Sequence, residues 1–108
     1  MRVDRLFHAL ADATRRDIVR RAIEGEHSVS ALARLYPMSV AAVQKHVGVL
    51  ESAGLVTKER RGREQIVRTS TDALRRAHEA LDALEAVWRE RVDRMRDALT
   101  DPREGDPA

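Results

Sequence analysis

The apolar residues of this chain recur at steps of three and four along most of its length, which places side chains on one face of a helix. A first helix is predicted near the N-terminus by four such positions, Val3, Leu6, Phe7 and Leu10. A second helix follows a break at residues 12–13, and its apolar face comprises Ile18, Val19, Ala22 and Ile23. Thr14 and Asp17 have the spacing of a capping box at its start, and Gly25 suits a left-handed cap at its end.

Two shorter helices are predicted next, on either side of a proline turn. Ser28 or Ser30 caps the third helix, and Pro37 ends it because the residue before a proline is pushed out of helical geometry. Its predicted buried face is Ala31, Leu32 and Leu35. Ser39 caps the fourth helix, over about residues 40–52, and Gly54 stops it. The core face of this helix is predicted to be Val43, Val47 and Leu50.

The periodicity changes to that of strands at residues 55–58 and 65–69, with Gly62 at the turn between them. Ser70 or Thr71 then opens a fifth helix that runs to about Leu99, with an apolar stripe at Leu74, His78, Leu81, Leu84, Trp88, Val92, Met95 and Leu99. Such a helix is about 40 Å long, more than one small domain covers. We therefore expect a homodimer whose interface contains Val3, Leu6, Phe7, Leu81, Leu84, Trp88, Val92 and Met95.

The length, amino-acid composition and net charge of the chain exclude several classes of protein. The 108 residues predict one domain over 1–99 and a disordered tail over 100–108, which holds Pro102, Gly105 and Pro107. The chain has no Cys, which excludes disulfides and thiolate metal sites and fits a cytoplasmic protein. No apolar run reaches the roughly 20 residues that span a bilayer, and no signal peptide is evident, so no membrane association is expected. The net charge is only +2, so any affinity for nucleic acid must come from a local basic surface.

The fourth helix and the strand turn are the candidates for such a surface. Ser39 caps the helix and can also hold a phosphate at the helix N-terminus. With the core face assigned, the outward residues are Val40, Ala41, Gln44 and Lys45. A Gln can bond adenine, a Lys can reach guanine or phosphate, and Val or Ala can touch thymine methyl groups. His46 is predicted to be a half-buried packing residue.

The hairpin adds positive charge beside that helix. Residues 58–68 contain five basic and two acidic side chains, and Arg60, Arg61 and Arg63 surround Gly62 at the tip. Arginines there can clamp phosphates or enter a minor groove. A helix–turn–helix followed by a basic hairpin predicts a mainly α fold with a small β-hairpin wing, a winged helix-turn-helix, that binds double-stranded DNA.

The chain resembles the ArsR family of bacterial winged-helix repressors over about residues 3–99. The matching segments are residues 6–16 (LFHALADATRR), 29–33, 39–56 and 61–63 (RGR). The resemblance implies five helices with dimerisation through the first and last, base contacts from the outward face of the fourth helix, and repression by binding an inverted-repeat operator. The final helix, with Trp88-Arg89-Glu90-Arg91-Val92, is most similar to the branch that does not sense metals.

Many members of the family do sense metals, through Cys thiolates or through carboxylate and His pairs that both subunits contribute from the last helix. Here the nearest candidates on that helix are Asp72, His78, Glu79 and Asp82. The family pattern places a His at position 74, where this chain has Leu74. We therefore expect no metal and no cofactor, and a metal-responsive repressor stays an alternative.

A second alternative uses the fifth helix as a protein-interaction surface, as in an adaptor or antitoxin-like partner. An enzyme is not expected, because the chain lacks Cys, a Gly-rich phosphate loop and a His-Glu metal motif.

Overall fold

The computed structural model describes residues 3–100, and its elements follow the predicted order with one additional strand. Their bounds are Val3–Leu10 (α1), Ala13–Glu24 (α2), His27–Ser28 (β1), Val29–Ala33 (α3), Val40–Ser52 (α4), Thr57–Arg61 (β2), Glu64–Arg68 (β3) and Thr71–Thr100 (α5). The mainly helical winged fold with five helices is thereby confirmed for the described residues. The described residues divide into two compact units, with the boundary between Ala77 and His78. The predicted disordered tail is 100–108; Thr100 is the last residue of α5, and residues 101–108 lie outside the described residues.

The core of the first unit draws on every helix from α1 to α4 and on the sheet. Its largest fully buried side chains are Leu6, Ile18, Leu32, Val43, Val47, Leu50, Leu55 and Val67. The predicted core face of α4 is thus confirmed in full. Leu6 corrects one prediction: it is 0% exposed within the single chain, so it belongs to the core and has no surface to offer a second subunit.

Three serines begin helices by the same contact. The Oγ atoms of Ser28, Ser39 and Ser70 each accept a hydrogen bond from the backbone amide three residues later, at 3.0 to 3.1 Å. These bonds satisfy amides that a helix start leaves without a partner, and each such cap contributes about 1 kcal/mol. Of the alternatives open in the sequence, Ser28 is the cap of α3 and Ser70 that of α5.

The ends of α2 differ from the prediction. Asp12 is the N-cap, because α2 begins at Ala13 and Asp12 Oδ1 accepts from the amide of Arg15 at 3.0 Å. The capping box of Thr14 and Asp17 is therefore wrong. Gly25 has a φ of −179°, which is extended backbone, so the left-handed cap predicted there is also wrong.

In α2 and α3, two predicted apolar-face residues are exposed. Leu35 is 46% exposed because α3 ends at Ala33, which puts Leu35 in the turn; Leu32 is buried as predicted, together with Val29 and Ala33. Ile23, in the last turn of α2, is 56% exposed. In both helices, the apolar periodicity of the sequence continues beyond the last residue that is buried.

The sheet has the order β1-β3-β2 and is antiparallel throughout. Strand β1 was not predicted, since two residues are too few to show an alternating pattern. It pairs Ser28 with Ile66 and so joins the start of α3 to the hairpin. Gly62 turns the hairpin with a φ of 65°, and Gly54 ends the α4 region with a φ of 78°. Both conformations are left-handed and favour glycine.

Candidate nucleic-acid interface

The outward face of α4 is the one that the sequence predicts. Val40 is 49% exposed, and Ala41, Gln44 and Lys45 are exposed as well. Their exposure follows from the complete burial of the opposite face, because an α-helix with one buried stripe presents its other positions to solvent. Ser39 holds the start of this helix at the surface, as predicted.

Hairpin and helix face each other across a polar cleft of about 280 Å³. Gln44 of α4 lines this cleft together with Arg60, Arg63 and Gln65 of the hairpin. Arg60 and Gln65 are directly opposite each other in the β2–β3 ladder, so both side chains lie on the same face of the sheet. The structure thus places the predicted base-reading side chain beside two of the three arginines from the tip.

The third arginine points to the other face. Side chains alternate along a strand, and Arg61 shares its face with Glu59. Arg61 Nη1 donates to Glu26 Oε2 at 2.5 Å, and its Nη2 lies 3.4 Å from Glu59 Oε2. Arg68 Nη1 lies 2.9 Å from Glu59 and 3.6 Å from Glu26. The hydrogen bond from Arg61 lowers the pKa of Glu26. Arg61 keeps its predicted place beside Gly62 at the tip, but this ion-pair cluster holds its side chain on the face opposite Arg60.

The turn between α3 and α4 is fixed by a contact that the sequence did not predict. The hydroxyl of Tyr36 donates to Asp17 Oδ2 of α2 at 2.6 Å, and Arg21 Nε donates to the same atom at 2.8 Å. The guanidinium carbon of Arg21 also lies 5.8 Å from the centroid of the Tyr36 ring, within cation–π range. The turn that leads into α4 is therefore attached to α2 by a charge-assisted hydrogen bond.

Arg15 is a second positioning residue that the sequence did not reveal. Its Nε donates to the Ala9 carbonyl at 2.8 Å and its Nη2 to the His8 carbonyl at 2.9 Å, which satisfies the C-terminus of α1. Its Nη1 lies 3.2 Å from Nδ1 of His46 on α4. The half-buried position predicted for His46 is confirmed. One guanidinium thus connects α1, α2 and α4.

Helix α5 exposes most of its predicted apolar stripe within the single chain. Leu81 is 52%, Leu84 53%, Trp88 57% and Met95 44% exposed. Val92 is half-buried. In α1, Val3 is 48% exposed and Phe7 half-buried. Large apolar side chains that recur on one face and lie open to water are typical of an interaction surface.

The predicted metal candidates yield one pair of ligands. His78 Nε2 lies 3.2 Å from Asp82 Oδ2, one helical turn away, and both side chains are exposed. Within residues 3–100, no group of three or more His, Asp or Glu side chains could hold a metal ion. Over the same residues, no helix has the length and apolar composition to cross a membrane.

Comparison with known proteins agrees with this geometry. Residues 10–59, from the end of α1 to the hairpin, match a family model described as a helix-turn-helix domain. The chain is 39% identical over 79 residues to the HTH-type transcriptional regulator Rv2034 of Mycobacterium tuberculosis, covering 73% of this chain and 74% of that protein. It is 34% identical over 79 residues to the uncharacterized HTH-type transcriptional regulator YuzN of Bacillus subtilis, covering 67% and 86%.

Two solved structures show the same fold. An ArsR-like transcriptional regulator from Rhodococcus sp. RHA1 superposes with a TM-score of 0.77 at 30% identity, covering 90% of this chain and 89% of that one. The homodimeric winged helix-turn-helix DNA-binding domain of Mb0332 from Mycobacterium bovis, a possible ArsR-family regulator, gives 0.64 at 28% identity, covering 77% and 78%. The protein is therefore a transcriptional regulator with a winged helix-turn-helix DNA-binding fold. It belongs to the ArsR family.

Proposed function

We propose that this protein is a homodimeric repressor that binds an inverted-repeat operator in double-stranded DNA and occludes a promoter in the cytoplasm. The observation that carries the proposal is the shared cleft of Gln44, Arg60 and Arg63. A helix that enters the major groove there brings the arginines of the wing next to the DNA backbone, so one surface supplies both base readout and charge.

Each part of the surface has a separate role in this proposal. Gln44 bonds a base edge bidentately, Lys45 reaches guanine or phosphate, and Val40 and Ala41 touch thymine methyl groups. Ser39 and the N-terminus of α4 hold a phosphate. Arg60 and Arg63 contact phosphates or the minor groove, whereas Arg61 orients the wing through Glu26 and Glu59.

Dimerisation is proposed through α1 and α5. It is supported by the exposed stripe of Leu81, Leu84, Trp88 and Met95, and by the homodimeric state of the M. bovis relative. A two-fold symmetric dimer presents two copies of α4, so its operator is expected to be an inverted repeat. Val3, Phe7 and Val92 complete the proposed interface.

DNA binding is proposed to need no metal or other cofactor, and no catalysis is proposed. The His78–Asp82 pair supplies two ligands per subunit, and a dimer doubles that number, but Leu74 stands where the family pattern places a His. A protein-interaction module would use the same apolar stripe on α5, but it would leave the cleft between Gln44 and Arg63 without a role.

Selection of bound duplexes from a genomic library, with the promoter of the protein's own gene included, tests the function. The proposal expects enrichment of one inverted repeat whose half-sites lie one helical turn apart. An adaptor would enrich no sequence, and that result would contradict the proposal.

A further inference from the structure

A second cleft, of about 450 Å³, lies between α1 and α4. Its lining comes from two helices of the first unit: Arg5 and His8 of α1, and Lys45, Gly48, Val49 and Ser52 of α4. Small-molecule sites in proteins occupy about 300–1,000 Å³ and combine a mostly apolar lining with a few polar groups. The cleft has this size and this composition.

Gly48 is the first feature of the cleft that the fold does not explain. Glycine in the middle of a helix costs about 0.5–1 kcal/mol relative to alanine. Nevertheless, a Cβ atom built at Gly48 meets no other atom within 4 Å, and its φ is not left-handed. Neither packing nor backbone geometry requires glycine here. Its effect is to keep the α4 wall of the cleft open.

Charge is the second feature. Arg5 and Lys45 line the same cleft and are both exposed, and neither makes a hydrogen bond or ion pair with any residue in 3–100. His8 adds a third basic side chain to the lining. Two unpaired cations beside an apolar wall are complementary to an anion that carries an apolar body.

The cleft is separate from the proposed dimer face of α1. Arg5 is two residues from both Val3 and Phe7, so at 100° per residue it lies about 160° around the helix axis from each of them. Leu6, which is fully buried in the core, lies between Arg5 on one side of α1 and Val3 and Phe7 on the other. A second subunit packed on Val3 and Phe7 therefore leaves Arg5 free to contact a ligand.

We propose that this cleft binds a small amphipathic carboxylate, with its apolar chain against Gly48 and Val49 and its carboxylate between Arg5 and Lys45. A free phosphate would use the two cations but not the apolar wall. Because Lys45 also belongs to the proposed DNA surface, an occupied cleft competes with DNA. This competition, but not the site itself, rests on the proposed function.

Titration of the full-length ¹⁵N-labelled protein with octanoate tests the site, with octan-1-ol and inorganic phosphate as separate arms. Octanoate is expected to shift the amide signals of Gly48, of Val49 and of the helical turn of α1 around Arg5 in a saturable manner. Octan-1-ol lacks the charge and phosphate lacks the chain, so each is expected to bind at least about tenfold more weakly, which equals about 1.4 kcal/mol.

Two variants and a matched control make the result specific. Gly48→Leu fills the cleft without a clash at Cβ, and Lys45→Gln removes one cation; both are expected to weaken octanoate binding by about tenfold or more. Arg34→Gln removes an exposed charge outside the cleft and is expected to bind octanoate like the wild type. Circular dichroism verifies that each variant is folded.

The proposal is overturned if octanoate shifts no signals, if it shifts only signals of α5, or if Gly48→Leu binds it as tightly as the wild type. It is also overturned if phosphate or octan-1-ol binds equally well. Because the titration contains no DNA, these outcomes do not depend on operator binding. A protein that binds octanoate but no operator would retain the site and refute the proposed function alone.

Discussion

The hydroxyl of Tyr36 donates a 2.6 Å hydrogen bond to Oδ2 of Asp17, which joins the turn before α4 to the middle of α2. Burial, followed by this bond, raises the pKa of Tyr36 to about 12. The same bond, with further ones from Arg21 and Arg20, holds the pKa of Asp17 well below its usual value. The fold therefore keeps Tyr36 neutral and Asp17 charged, and their bond fixes the approach to Ser39.

Tyr36→Phe is expected to lower the free energy of unfolding by about 1–2 kcal/mol, because it removes a hydrogen bond to a charged group. Urea denaturation at neutral pH measures the change. Glu79→Gln is a suitable control, since Glu79 is exposed and a surface change of this kind alters stability by less than about 0.5 kcal/mol. Equal stability of Tyr36→Phe and the wild type would show that the turn is held by packing alone.

The pH dependence of the same variant gives a second readout. The folded pKa of Asp17 is lowered, so its contribution to stability is present above about pH 4 and is lost as the pH falls. The folded pKa of Tyr36 is raised, so its contribution is present below about pH 10 and is lost as the pH rises towards 12. Tyr36→Phe is expected to remove the alkaline loss and to reduce the acid loss.

Gly48→Ala is expected to stabilise the protein by about 0.5–1 kcal/mol, because alanine is the better helix former and its Cβ meets open space. Thermal unfolding of the two proteins measures this as a higher melting temperature. Gly62→Ala is the contrasting change: Gly62 also has open space, but its φ of 65° is strained for alanine, so a loss is expected. A destabilised Gly48→Ala would mean that this glycine has a packing role in the dimer.

Residues that act through local rules could be predicted from the sequence. The core face of α4 follows from periodicity, and Ser39 and Gly62 follow from the chemistry of caps and turns. What these rules miss are contacts between elements far apart in the chain. Asp17 has the spacing of a capping box with Thr14, but Asp12 is the N-cap, and Asp17 instead bonds Tyr36, nineteen residues away.

The residues of the candidate site also divide into those that local patterns predict and those whose positions depend on distant contacts. Gln44 and Lys45 are exposed because their positions on α4 are set by the buried residues beside them. The tip arginines look equivalent in the sequence, yet strand alternation and the acidic Glu26 separate Arg61 from its neighbours. Glu26 lies 35 residues before Arg61, so no local pattern reveals this pair. Likewise, the open space beside Gly48 depends on how α1 packs on α4.

Trp88→Ala is expected to weaken the proposed dimer strongly, because a large aromatic at the centre of an interface is often worth 2 kcal/mol or more, about thirtyfold in the dissociation constant. Sedimentation equilibrium of the two proteins measures the constant. Glu90→Ala, about 200° around the helix from Trp88, is the control and is expected to have little effect. A wild-type mass near the 12.2 kDa of one chain at micromolar concentration would refute the dimer itself.

Operator affinity is expected to be the same in the presence of a chelator and of micromolar zinc. The reason is that Leu74 stands where the family pattern places a His, so the His78–Asp82 pair lacks that ligand in each subunit. Fluorescence anisotropy of a labelled operator measures the affinity in both buffers. A loss of about tenfold with zinc, reversed by the chelator, would show that this pair belongs to a regulatory metal site.

The two elements of the DNA surface are expected to differ in what they contribute. Arg63→Ala should weaken binding to operator and scrambled duplex alike, and it should flatten the salt dependence by about 0.9 per phosphate contact, or nearly two units for a dimer. Arg75→Ala is the matched control. It removes one exposed arginine from α5, which has no part in the proposed DNA surface, so the salt dependence should stay close to that of the wild type.

The most direct test of base readout by α4 is a titration of wild type and Gln44→Ala against the operator, its single-base variants and a scrambled duplex, at several salt concentrations. We expect Gln44→Ala to relax the preference at one symmetric base pair in each half-site, by about 1–3 kcal/mol per bidentate contact, with little change in salt dependence. If Gln44→Ala lowers affinity for operator and scrambled duplex equally and keeps the base preference, α4 is not the reading helix.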